Sequence, residues 1–175
     1  MNHSRSIFSL ATSRSLSLTV VAVMAFCASN IARADEVLKF RAVMHATSAQ
    51  ALDVGDVEGH ALGLARVSGL ASFPDGSVGT VYLTSTNDYI KGVGTNLAYY
   101  NLSLKDGSVL WYRVTGTAKV DGTTTIFPET QVSVLSGKGR FEGAKGDGTV
   151  SGARLVPFAT PGAELYLDFV INVKK

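Results

Sequence analysis

Cysteine is the first thing this sequence lacks. Its 175 residues hold one, Cys27, in a stretch that reads as a removable leader. After residue 34 no thiol remains, so disulfides, thiol catalysis and thiolate metal sites are excluded there. Charge is scarce too: 17% of residues are charged against 46% hydrophobic, which excludes a disordered polar tail. Residues 35–175 carry thirteen basic and fourteen acidic side chains, a net charge of −1 with His neutral. The basic balance of the whole chain thus belongs to the leader. No basic stripe interleaved with aromatics is left to hold nucleic acid. Histidine is nearly missing: His45 and His60 are the two beyond residue 34, in neither HxxxH nor HExxH spacing, so no metal site and no cofactor are expected. No GxSxG is present for a nucleophile elbow.

Residues 1–34 also lack every acidic side chain. Arg5 and Arg14 form a basic start, and Leu16–Ala28 is an apolar run of thirteen residues. A membrane span needs about 20. Ala32-Arg33-Ala34 then gives the small–x–small pattern of a signal-peptidase site. The expected organisation is a secretory signal peptide over 1–34, cleaved after Ala34, and a single domain over 35–175. Export to the periplasm or the extracellular space follows. No amphipathic basic helix suggests membrane attachment after cleavage.

What the mature part has in quantity is glycine, all eighteen of the chain, and alternation. Four Asp-Gly pairs (Asp75-Gly76, Asp106-Gly107, Asp121-Gly122, Asp147-Gly148) are candidates for tight hairpin turns. Between them the hydrophobic period is two. Leu110, Tyr112, Val114, Gly116, Ala118 and Val120 oppose Trp111, Arg113, Thr115, Thr117 and Lys119. Leu165, Leu167, Phe169, Ile171 and Val173 oppose Glu164, Tyr166, Asp168, Val170 and Asn172, and Val81, Leu83 and Ser85 oppose Tyr82 and its neighbours. Eight or nine strands are expected, roughly at 38–46, 60–73, 77–90, 97–104, 108–120, 123–135, 138–144, 149–158 and 163–173. The fold class is all-β: an eight-stranded antiparallel closed β-barrel, which hides its own edges and is just wide enough to be filled or to hold one small ligand.

Candidate site residues are few. Trp111 and Arg113 share one strand face, and Tyr82, Tyr166 and Asp168 lie on polar-leaning faces of other strands. Turned inward, they would line an aromatic cavity with one cation, fit for a small apolar or aromatic molecule. Turned outward, they would form an amphipathic surface or an oligomer contact. Glu164 and Asp168 are a carboxylate pair or the wet side of a half-buried strand. His60 follows the acidic segment Asp53–Gly59, a solvated connector or a barrel-mouth acid/base site.

The segment Ser136–Gly148 has GxGxxxG spacing without GK[ST] or a following helix, so it is no phosphate loop. Its glycines suit a strand that bends or meets another backbone. Gly137-Lys138-Gly139-Arg140-Phe141-Glu142-Gly143-Ala144-Lys145-Gly146 resembles the G-x-G-x-F-x-G-A-x-G signature of allene oxide cyclases and, more loosely, dirigent proteins. Val54-Gly55-Asp56, Leu155-Val156-Pro157-Phe158 and Leu165–Ile171 are similar to the opening and closing segments of the cyclase barrel. The resemblance implies an eight-stranded barrel with an internal cavity, assembled as a trimer. The fold carries over from the resemblance more readily than the chemistry, although Arg113 and Asp168 are of the residue types that steer coupling in dirigent cavities. A separate expectation is a barrel that guides a reactive intermediate by cavity shape, oriented by Arg113, Tyr82, Tyr166 and Asp168. The cysteine of the cyclase pocket has no counterpart after residue 34. Three functions follow as expectations: a ligand-binding barrel, a cyclase- or dirigent-like steering protein, and a filled barrel acting by interaction.

Overall fold

The computed structural model describes residues 35–156 and 164–175. The leader, Pro157 and Phe158 lie outside them. Eight strands follow in chain order: β1 (Glu36–Asp53), β2 (His60–Ser72), β3 (Val78–Ile90), β4 (Val93–Ser103), β5 (Val109–Asp121), β6 (Thr124–Lys138), β7 (Lys145–Arg154) and β8 (Glu164–Lys174). Each pairs antiparallel with the next, and β8 returns to β1 with Glu36 opposite Val173 and Phe40 opposite Phe169. The sheet is a closed barrel, as the period of two and the turn spacing predict. Apolar sets point inward: Leu110, Tyr112 and Val114 on β5, and Leu165, Leu167, Phe169, Ile171 and Val173 on β8 are all buried.

The differences from the expected strands have local causes. Three Asp-Gly pairs make turns, with Gly76, Gly107 and Gly122 at φ of 82°, 80° and 59°. Asp147-Gly148 instead lies inside β7. A Cβ on Gly148 would stand 2.2 Å from the Val170 carbonyl oxygen of β8, so this glycine serves close strand approach and not a turn. The expected strand at 138–144 is absent. Lys138 ends β6, and Gly139–Phe141 form a single 3-10 turn that plugs Phe141 into the core. β4 starts four residues early because Lys91-Gly92, with φ of 50° and 83°, closes a β3–β4 hairpin without an Asx-Gly signal. Strand β1 runs on to Asp53: after a bulge between Ala46 and Ser48, residues 48–53 pair with β2, although their mixture of Ala and polar residues carries no alternation.

The barrel interior divides along its axis. One end, formed by the starts of β1, β3 and β5, is packed solid. Phe40 stacks on Phe169 with ring centres 4.8 Å apart, Tyr100 on Tyr112 at 4.9 Å, and Phe169 meets both tyrosines edge-on. Phe73, Leu104 and Phe141 close this end. The other end, built from the ends of β1, β3, β5 and β7, holds smaller side chains.

Candidate functional site

That second end contains a cavity of about 50 Å³. One ordered water needs roughly 10–15 Å³, so the space is several waters large. Its walls come from strands whose inward positions become small or polar as they leave the aromatic layer. On β1 and β2 these are Ala46, Ala49 and Ala65; on β4 and β5 they are Ala98 and Gly116. Strand β3 reads Val81, Leu83, Ser85, Asn87 along its buried face, so an apolar stripe turns into hydroxyl and amide on entering the cavity. Asn96, Thr117 and Thr130 continue the polar part, while Leu83, Tyr100, Val114 and Phe127 supply apolar surface.

The wall is irregular on one side. Strand β6 carries Pro128, and its pairing shifts register against β5 between Val114 and Lys119 and against β7 between Phe127 and Thr130. Pro lacks the N–H a ladder needs, and bulges sit where a strand must turn a side chain aside. Phe127, Pro128 and Thr130 all border the cavity from this bulged stretch.

Arg154 closes the inner face of β7. It is 8% exposed, its guanidinium lies 5.3 Å from the centre of the Phe127 ring, and the phenol of Tyr89 is its electrostatic neighbour. Burial pulls the Arg154 pKa down and pushes that of Tyr89 up. Asn87 donates weakly to the Ser85 hydroxyl at 3.5 Å. The Oδ1 of Asn96 is buried and accepts no hydrogen bond among the described residues. This is a mixed cavity, with one cation, several amides and hydroxyls, and a largely aliphatic floor.

None of the five residues expected to contact a ligand borders it. Once Leu110, Tyr112 and Val114 face in, strand parity turns Trp111 and Arg113 out, and the same holds for Tyr82, Tyr166 and Asp168. The inward alternative is corrected: they lie on the outer wall, in two separate groups. In the first, Tyr82 and Trp111 flank Asn101 across β3, β4 and β5, and Arg113 pairs with Tyr99 in the next row. In the second, Asp168 accepts two hydrogen bonds from Arg41, both 2.7 Å, and Arg41 sits 5.3 Å from the Tyr166 ring centre. The Arg41 guanidinium holds the Asp168 carboxyl below the usual carboxylate range. Glu164 and Asp168 are therefore on the wet side of β8.

The acidic connector is more ordered than a plain loop. His60 lies between two carboxylates, with Nδ1 2.5 Å from Asp56 and Nε2 2.9 Å from Asp88. The bonds to Asp88 and then Asp56 raise the His60 pKa, and His60 in turn lowers that of Asp56. Lys91 adds a tie, donating its backbone N–H to the Gly59 carbonyl and its Nζ to Glu58. Together they staple the β1–β2 connection onto the end of β3. Among the described residues no cluster of His, Cys, Asp and Glu has the geometry of a metal site.

No cavity residue was flagged as a site residue by the sequence, and Arg154, Asn87 and Asn96 are the ones with a polar group to have noticed on a buried or half-buried face. The signal was parity: Arg154 falls in step with buried Val150, and Asn87 with Leu83. A polar residue on an apolar face marks an inward polar group.

A closed eight-stranded barrel with an internal cavity at one end is the class that fold and site define. Neither the family models nor the curated proteins include a match to this chain. Among solved structures it is similar to a conserved protein of unknown function from Rhodopseudomonas palustris, at 13% identity and a TM-score of 0.50, over 80% of this chain and 98% of that one. It is also similar to a pterocarpan synthase dirigent protein, at 14% identity and 0.47, over 81% of this chain and 87% of the other. A third is described as pyocyanin demethylase, at 14% and 0.42, over 78% and 99%. At these identities the likeness is one of fold alone.

Proposed function

We propose that this protein is an exported binding barrel that holds a small, largely apolar or aromatic molecule in the cavity end, without covalent or metal chemistry. The observation that carries the reading is the line of Ala46, Ala49, Ala65, Ala98 and Gly116 around a space that larger side chains would have filled. Export rests on the leader pattern at 1–34. A barrel filled along its whole length is opposed by the same cavity. The steering alternative has no orienting groups among the residues first suggested for it, since these face outward.

The test is native mass spectrometry of the protein purified from its own source. The expected result is a chain beginning at Asp35, with a small added mass that leaves on unfolding. An unliganded mass, with no adduct after exposure to a panel of single-ring aromatics, overturns the reading.

A further inference from the structure

We infer that Asp121 is a site of spontaneous backbone modification: at Asp121-Gly122, in preference to the other three Asp-Gly pairs, the folded chain converts aspartate to isoaspartate through a cyclic imide. The inference is independent of what the cavity holds.

The chemistry needs two free partners. The backbone nitrogen of the residue after Asp attacks the side-chain carboxyl carbon, and Gly obstructs that approach least because it has no Cβ. An N–C bond forms, a C–O bond breaks, and water leaves with the amide proton and a carboxyl oxygen. A second water then opens the imide at the main-chain carbonyl. The main chain now runs through the Asp Cβ and Cγ, one methylene longer, and the former main-chain carbonyl is the free carboxylate. Atoms and charge are those of the starting chain, and no oxidant or reductant takes part.

Three of the pairs hold both partners back. In the β2–β3 turn, Asp75 accepts from the Ser77 N–H at 2.9 Å and its hydroxyl at 2.7 Å, while the Gly76 N–H donates to the Phe73 carbonyl at 3.0 Å. The β4–β5 turn repeats the arrangement: Asp106 accepts from the Ser108 N–H at 2.9 Å, and the Gly107 N–H donates to the Leu104 carbonyl at 3.0 Å. Asp147 accepts from Asn172 at 3.2 Å and Lys174 at 3.4 Å, and Gly148 is paired on both sides, with Val132 of β6 and Ile171 of β8. Hydrogen bonds from Ser77, Ser108 and Asn172 also keep these three carboxyls below the usual carboxylate range. The ionised form is the poorer electrophile.

Asp121 has none of these ties. It is the exposed last residue of β5 and pairs with Thr124, so Gly122-Thr123 is a two-residue hairpin loop. Among the described residues its carboxyl makes no hydrogen bond or ion pair, and the Gly122 N–H donates to no acceptor. A Cβ on Gly122 would meet nothing within 4 Å, so the imide has room to form. Exposed loop tips of this kind are where a chain tolerates such a change.

The test is an ageing experiment on the protein produced from the full chain, held folded in neutral buffer and, in parallel, in denaturant. Peptide mapping with electron-transfer fragmentation, which tells isoaspartate from aspartate at unchanged mass, follows all four pairs. In the denatured chain the four should convert at similar rates. In the folded protein Asp121 should convert about tenfold faster than any other, since each of the others must first give up two or more hydrogen bonds. The aged form should lose amide-exchange protection at the hairpin tip, around Lys119 and Ile126, and keep it along β8. Asp121→Glu, which would need a larger ring, should stop conversion at this position and leave the other three pairs unchanged. Equal conversion at all four pairs of the folded protein, or faster conversion at Asp75, Asp106 or Asp147, overturns the inference. So does a folded protein that forms no isoaspartate at Asp121 while the denatured chain does.

Discussion

The two ends of this barrel share one hydrogen-bonded wall and differ in what fills it. At the packed end, Phe40, Tyr100, Tyr112 and Phe169 interlock, and Phe141 plugs the bottom. At the other end the same strands offer alanine, serine and asparagine. In a helical protein such small side chains would let neighbouring elements slide together. Here they cannot, because each strand is held on both sides by its ladder and the radius follows from strand number and stagger. Side-chain volume then decides directly whether a length of barrel is core or cavity. One fold thereby supplies both a close-packed half and a half with open internal space.

The sharpest way to break this contrast is at the packed end. Phe169→Ala removes a side chain that is 1% exposed and touches three other rings. Its loss should cost about 3–5 kcal/mol in denaturant unfolding. A loss below about 1 kcal/mol would mean that this end is not a close-packed core. Next comes Gly152→Ala on β7. The new Cβ would stand 2.0 Å from the Tyr166 carbonyl oxygen, so β7 must part from β8. A cost of about 3 kcal/mol is expected, with faster amide exchange along β8, whereas Gly76→Ala, whose Cβ meets nothing within 4 Å, should cost only the roughly 1 kcal/mol of its left-handed backbone and leave β8 exchange unchanged. A smaller effect comes from the His60 staple, which ties the β1–β2 connection to the end of β3. His60 gains its partners in the fold, so its pKa is raised. The resulting stabilisation is fully present below the unfolded value of about 6.5. It is lost as pH rises through the higher folded value. His60→Gln should flatten thermal stability across that window. At lower pH the depressed Asp56 contributes in the opposite sense: its stabilisation is present above its unfolded value and is lost as pH falls through the folded one. Thermal melts at intervals between pH 5 and 9 would check the first effect, and an unchanged slope in the variant would remove His60 as its source.

Much of the packed end was legible in the sequence. Strands β5 and β8 announce themselves by strict alternation, and their inward apolar sets fall where parity predicts, except Val120 at the end of β5, which is exposed. The cavity end was not. Its strands lose the apolar alternation that identifies a strand, so residues 48–53 look like loop, and the Lys91-Gly92 turn lacks the usual Asx-Gly pair. The aromatic and charged residues that drew attention, Tyr82, Trp111, Arg113, Tyr166 and Asp168, are conspicuous for the same reason that they face solvent: they belong to the polar parity of their strands. Arg154 was hidden by its neighbours. It follows Gly152 and Ala153 at a strand end where Arg is ordinarily a solvated rim residue. Gly146 and Gly148 lie in the glycine-dense segment read as bending or meeting another backbone, and both face a β8 carbonyl oxygen closely, although Asp147-Gly148 also carried a misleading turn signal; Gly152 lies beyond that segment.

The most direct test of the two-ended account makes one chemical change in both halves. Ala71 is fully buried at the packed end, and Ala98, 1% exposed, borders the cavity. The measurement is the denaturant midpoint of Ala71→Leu and of Ala98→Leu against the unaltered protein. The account predicts opposite behaviour. Ala71→Leu overpacks a full core and should lose about 1–3 kcal/mol, whereas Ala98→Leu grows into free space and should hold or raise the midpoint while blocking ligand. Equal destabilisation by both would contradict it, because the barrel would then be packed alike from end to end.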